Sequence, residues 1–184
     1  MRRTTSRQAW PWLRSLAVDA GERIEDGEAA QVLSPEVQAQ LSGPRLFVLA
    51  TASPDGVPAT TLVSWMCALG PSRLAIALDR RGLAYANALE NPAAALEVTL
   101  PGFTATLRGT MTLLRRQLES APFPCAWFEL EIEEIRDHGA PASLVRPASY
   151  EYAPAKQQYA VREAEIIAEL RTLAERPLAQ SHRR

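Results

Sequence analysis

The stretch from Thr104 to Leu113 alternates with a period of two. Ala105, Leu107, Met111 and Leu113 fall on one face, and Thr104, Thr106, Arg108, Thr110 and Thr112 on the other. Such a pattern describes a β-strand with one side on a core and the other in water. A second stretch repeats it: Phe128, Leu130 and Ile132 alternate with Glu129, Glu131 and Glu133. There the alternation slips at Glu133-Glu134, which predicts a β-bulge. Paired carboxylates along this strand read as a solvated face.

The remaining elements are short and separated by turns. Ser34-Pro35-Glu36 opens a helix: Ser34 caps it, Pro35 suits its first turn, and Val37 and Leu41 face inward. Gly43-Pro44 ends it. Leu46 to Ala50 is an apolar run expected as the first strand. Ser53-Pro54-Asp55-Gly56 reverses the chain. Thr60 to Ala68 reads as the second strand and Leu74 to Leu78 as the third. Asp79 to Glu90 is helical, with Leu83, Ala86 and Leu89 in register, and Asn91-Pro92 closes it. Ala95 to Leu100 is the fourth strand, Thr104 to Leu113 the fifth and Phe128 to Glu133 the sixth. Val161 to Glu175 is a further helix with an apolar stripe of Val161, Ala164, Ile167, Leu170 and Ala174. Pro177 to Arg184 reads as a frayed tail. Six short strands, with few connections long enough for a crossover, favour an antiparallel barrel over a parallel sheet.

Composition narrows the possible functions. A chain of 184 residues, 47% hydrophobic, has the size and apolar content for one core. Its net charge of −1 supplies no field to recruit nucleic acid or an anionic membrane. The first residues carry Arg2 and Arg3, but Pro11, Arg14 and Asp19 interrupt any apolar run, so neither a signal peptide nor a span is expected. Cys67 and Cys125 sit in apolar surroundings and are expected as buried free thiols in a reducing cytoplasm.

Side-chain catalysis finds few candidates. The two histidines are His138, expected in an exposed turn, and His182, in the tail. With two dispersed cysteines they make no standard zinc spacing, and no metal site is expected. No glycine-rich phosphate loop and no dinucleotide fingerprint follows a strand. If the protein is an enzyme, a bound cofactor carries the difficult step.

The order of segments resembles a known family. Leu33-Ser34-Pro35-Glu36, then Arg45 to Thr51 and Pro54-Asp55-Gly56-Val57-Pro58, is similar to the opening of FMN-binding split-barrel proteins related to pyridoxamine 5'-phosphate oxidase. Val63-Ser64-Trp65, Leu74 to Asp79, and Ala86-Asn87-Ala88-Leu89-Glu90-Asn91-Pro92 running into Ala95 to Val98 follow in the same order. Leu107-Arg108-Gly109-Thr110 resembles the family's glycine-bearing fifth strand. The resemblance covers roughly residues 33–136. It implies a mainly β fold with flanking helices, a six-stranded antiparallel split β-barrel, pairing as a homodimer with FMN in the clefts between subunits. Residues 34–140 would form that barrel. Residues 1–33 would be a helical arm or extension, and 141–184 a C-terminal segment whose amphipathic helix packs on the barrel.

The resemblance also locates a site. The flavin ring would lie along the second strand, here Leu62 to Trp65, so Thr60, Thr61, Val63, Ser64 and Trp65 are candidate cofactor contacts. The family's phosphate ligands are replaced. Anchored on Asn91-Pro92, the second-strand arginine falls at Thr61 and the following lysine at Met66. The third-strand hydroxyl pair falls at Ala77-Leu78, and the Ser-Arg-Lys run at Gly82-Leu83-Ala84. Arg80 and Arg81 are the nearest substitutes, with the helix N-terminus behind Gly82 offering backbone amides. The function implied is FMN binding, with flavin-dependent oxidoreductase activity on a small molecule. Vitamin B6 oxidation itself is not expected, because Ser143 to Tyr159 lacks the substrate-phosphate pattern. Alternatives on the same fold are a deazaflavin, haem held by His138, or a cofactor-free structural or regulatory dimer.

Overall fold

The computed structural model describes residues 32–43, 45–138 and 151–175. The expectations for the N-terminal arm and for the tail lie outside the described residues, apart from Val32 and Leu33. The chain forms a mainly β, antiparallel split barrel with flanking helices. Its elements are α1 (Pro35–Gln40), β1 (Phe47–Ala52), β2 (Pro58–Val63), β3 (Met66–Gly70), β4 (Arg73–Asp79), α2 (Leu83–Glu90), β5 (Ala93–Leu100), β6 (Phe103–Arg115), β7 (Cys125–Asp137) and α3 (Gln158–Glu175). The strands form one sheet in the order β2-β1-β5-β6-β7-β4-β3.

The described residues form seven strands where six were expected, because the stretch from Thr60 to Ala68 divides. Val63 is the last residue paired to β1, and Met66 is the first paired to β4. Ser64 and Trp65 belong to neither ladder. The two edge strands of the sheet are therefore consecutive in sequence. A sheet whose edges are joined by two residues must curl until those edges approach, and this makes it a barrel with a split at Ser64-Trp65.

The local signals explain the elements. Ser34 Oγ accepts the Val37 N–H at 3.3 Å and Pro35 occupies the first turn, so α1 begins where its cap requires. Gly56 adopts φ of 86°, which lets the β1–β2 connection reverse tightly. The expected bulge is present. Arg108 pairs with Glu134 and Gly109 with Ile132, leaving Glu133 extra.

Two apolar clusters flank β4. Inside the barrel, Leu49, Ile76, Leu96, Leu107, Phe128 and Leu130 are buried. On the opposite face, Ala75 and Ala77 lie with Cys67, Cys125 and Trp127 beneath Ile166, Ile167, Leu170 and Leu173 of α3. Thus α3 packs by a stripe rotated from the one expected. Val161 is 64% exposed, while Glu163 is buried in line with Ile166, Ile167 and Leu170. A glutamate inside the stripe disguised its true starting point. No described helix is long and apolar enough to cross a membrane. Both cysteines are free and buried.

Candidate functional site

A cavity of about 540 Å³ opens beside the split. One wall is the run Ala59, Thr60, Thr61, Leu62, Val63, Ser64 and Trp65 from β2 and the break. Another is Ala77, Leu78 and Asp79 from the end of β4, with Gly82, Leu83 and Ala84 at the start of α2. Phe123, Tyr152 and Tyr159 close one end. The position follows from topology: where the chain leaves one ladder for the next, backbone and side chains are available to line a space.

The two polar ends of this wall differ. At α2 the N-cap is Gly82, whose side-chain-free position leaves the first-turn amides uncapped, and no acid occupies the first turn. At the break, Trp65 stacks on Phe123 with centroids 5.3 Å apart and planes 24° apart. Trp65 Nε1 donates a long bond of 3.4 Å to Tyr152 Oη. Tyr152 Oη donates to Glu163 Oε2 at 3.2 Å. The rings of Tyr152 and Tyr159 lie 6.0 Å apart.

Charge is scarce. Among the described residues no arginine, lysine or histidine lines the cavity, and Asp79 is its one carboxylate. Arg81 holds that carboxylate from outside, Nη2 to Oδ2 at 2.6 Å and Nε to Oδ1 at 3.0 Å. The hydrogen bond from Arg81 is the main reason the Asp79 carboxyl sits below the usual aspartate range. The Arg81 guanidinium also lies 5.4 Å from the Phe123 ring centroid. Cys125 borders the cavity as a buried free thiol. Burial first, and the Asp79 charge second, push its thiol up to about 12.

Of the residues expected at a site, the structure brings Thr60, Thr61, Val63, Ser64 and Trp65 together on the cavity wall. Arg80 and Arg81 are exposed and do not line it. Arg80 is fixed through its backbone N–H to Pro124 O, and Arg81 is occupied by Asp79. Arg108 lies on the outer face of β6, paired with Glu134 at 3.2 Å. His138 is also on the outer surface, 2.9 Å from Thr106 Oγ1 and 3.2 Å from Glu97 Oε1. Asn87 is buried and donates to Thr51 Oγ1 at 3.1 Å, a structural amide. Phe123, Tyr152 and Tyr159 were missed by sequence reasoning.

The chain has recognisable relatives. A family model described as pyridoxamine 5'-phosphate oxidase matches residues 33–171. Among solved structures, HupZ of Group A Streptococcus is 14% identical, with 61% of this chain and 99% of HupZ covered and a TM-score of 0.50. A pyridoxamine 5'-phosphate oxidase-related, FMN-binding protein of Nostoc punctiforme is 14% identical, with 53% and 75% covered and a TM-score of 0.42. HutZ, the haem storage protein of Vibrio cholerae, is also 14% identical, with 55% and 91% covered and a TM-score of 0.43. No curated protein matches.

Proposed function

Because this chain belongs to the pyridoxamine 5'-phosphate oxidase family, we propose that its cavity binds FMN and that the protein is a flavin-dependent oxidoreductase for a small molecule. The observation that carries the reading is the location of the cavity. It runs along Leu62 to Trp65, where two residues stand outside both ladders, and ends on the uncapped start of α2.

The residues present fit the two parts of the cofactor unequally. A flat ring system suits the apolar wall of Leu62, Val63 and Leu78, and a volume of about 540 Å³ admits it. A phosphate meets the hydroxyls of Thr60, Thr61 and Ser64 and the α2 amides, but, among the described residues, no cation in the wall. Arg81 approaches from the rim only by loosening its pair with Asp79. Binding that lacks charge-assisted contacts forgoes about 1.5–3 kcal/mol for each such bond. The flavin, when bound, supplies electron transfer. The protein's part is to hold the ring on the β2 backbone and exclude water from one side of it.

A homodimer belongs to the same proposal. Val48 and Leu62 are cross-strand partners on the outside of β1 and β2, 39% and 63% exposed. Leu83, at the cavity mouth, is 72% exposed. A second copy covering these side chains would also close the open side of the cavity. Haem is disfavoured because His138 lies away from the cavity. A deazaflavin is disfavoured because its acidic tail needs basic residues, and none lines the wall among the described residues.

The test is an absorbance spectrum of the purified protein before and after adding excess FMN and desalting. Retained oxidised-flavin bands support the reading. A colourless protein that retains no FMN overturns it and leaves the cofactor-free dimer, which the absence of a cation from the described lining also favours.

A further inference from the structure

We propose that the end of the cavity walled by Trp65, Phe123, Tyr152 and Tyr159 is a separate subsite for a planar aromatic ligand without a phosphate, and that Glu163 orients this subsite through Tyr152. That this ligand is a second one, beside the cofactor, rests on the flavin reading. The chemistry of the subsite does not.

All four rings are half-buried. Aromatic side chains serving only as core would be enclosed; these leave ring surface facing a cavity, and such surface is best covered by another ring. The near-parallel stack of Trp65 on Phe123 holds one flat wall, at 5.3 Å and 24°. The Trp65–Tyr152–Glu163 chain of hydrogen bonds fixes the other.

Glu163 is the unexpected member. It is 6% exposed, on the face of α3 that otherwise buries Ile166, Ile167 and Leu170. One carboxylate oxygen, Oε1, is buried without a hydrogen-bond partner. That placement costs free energy that an apolar residue would not. What Glu163 adds is an acceptor for the Tyr152 hydroxyl, so that the phenol oxygen faces Trp65 Nε1 in one orientation. Glu163 is a positioning residue and touches no ligand itself.

The wall also selects by charge. Arg81 and Lys156 lie 5.4 Å and 5.2 Å from the centroids of Phe123 and Tyr159, but neither lines the cavity. Among the described residues, a dianion entering here finds no cation in the lining, and the one carboxylate there, Asp79, is already paired with Arg81, whereas a neutral ring loses little on leaving water.

A matched pair of probes tests this: 2-naphthol and 2-naphthyl phosphate, titrated by calorimetry into the full-length protein with and without excess FMN. The naphthol is expected to bind at least tenfold tighter than its phosphate, and to do so with FMN present. Tyr152→Phe and Glu163→Ala should each weaken naphthol at least fivefold, while Glu163→Gln, which keeps an acceptor, restores most of the affinity. Circular dichroism identifies any variant that fails to fold, and Tyr159→Leu then serves as the substitute. Equal or tighter binding of the phosphate, displacement of naphthol by FMN, or unchanged affinity in Tyr152→Phe would each overturn the subsite. Failure of FMN to bind while naphthol keeps its dependence on Tyr152 would sink the flavin reading and leave the subsite standing.

Discussion

Gly109→Ala should be among the most damaging single-methyl additions to the barrel. Gly109 sits in β6 opposite the bulge, pairing with Ile132 while Glu133 is extruded. A Cβ built there overlaps the Glu131 carbonyl oxygen. It also lies 2.8 Å from that carbonyl carbon and 3.1 Å from Ile132 Cα. Every atom it meets is backbone, so no side-chain rotation relieves the overlap and the two strands must part. The ladder bonds on either side of the bulge then stretch. Each is worth about 0.5–1.5 kcal/mol, and a buried group left unsatisfied costs roughly 1–3 kcal/mol more. Losing two such bonds with one orphaned group gives a destabilisation of roughly 2–6 kcal/mol. The gain from replacing glycine in a strand, about 0.5–1 kcal/mol, offsets little of it. A domain of ordinary stability, about 5–15 kcal/mol, would lose a large share. Urea unfolding followed by circular dichroism measures the loss. Thr112→Ala, exposed on the same strand, is the control and should stay within ~0.5 kcal/mol of the parent. A Gly109→Ala protein within ~1 kcal/mol of the parent at unchanged slope would refute the steric reasoning.

Three further outcomes follow from the same coordinates. Burial raises the Glu169 carboxyl, but bonds from the Ser120 hydroxyl and from the Ser120 and Glu119 N–H groups, with the Arg115 charge, outweigh it and hold the group below 4.5. A depressed folded value stabilises above the unfolded one and is lost as pH falls through the folded value. Glu169→Gln should therefore flatten the fall in Tm below about pH 4.5, and parallel Tm–pH curves for the two proteins would contradict this. Cys67 and Cys125 are buried, and burial pushes both thiols up. Dithionitrobenzoate at pH 8 should titrate neither before unfolding and both after; prompt reaction of one in the folded protein would contradict the packing beneath α3. Leu62→Asp places a charge on the exposed β1–β2 face and should convert dimer to monomer in sedimentation at micromolar concentration. A parent protein that is already monomeric there would remove the dimer from the proposal.

The fold was legible wherever a local rule decided it. The period of two in β6 and β7, the slip at Glu133, the Ser34 cap and the Asn91-Pro92 stop all act within a few residues. What was not legible depended on partners distant in sequence. Thr60 to Ala68 reads as one strand in sequence, and nothing in Ser64-Trp65 announces the bend at which the chain exchanges β1 for β4. The same applies to α3. A helical stripe drawn from apolar residues alone begins at Val161, whereas packing on Cys67, Ala75 and Ala77 begins it at Glu163.

The candidate site divides along the same line. Thr60, Thr61, Val63, Ser64 and Trp65 could be named in advance because family resemblance assigns the role to a strand, and a strand carries its neighbours with it. Arg80 and Arg81 were named for proximity to the helix entrance; Asp79 stands beside them in the chain and pairs with Arg81. A sign of the missed aromatic end was present: three of the four tyrosines, Tyr85 being the exception, fall within residues 150–159. That clustering had no partner in sequence. It gains one only when the β2–β3 break, the connection into β7 and α3 bring Trp65, Phe123 and Glu163 to the same place. A cavity with aromatic walls, hydroxyl donors and, among the described residues, no cation in its lining is poorly matched to a doubly phosphorylated pairing of cofactor and substrate. It is better matched to a flavin held mainly by its ring, beside a ligand that carries no phosphate.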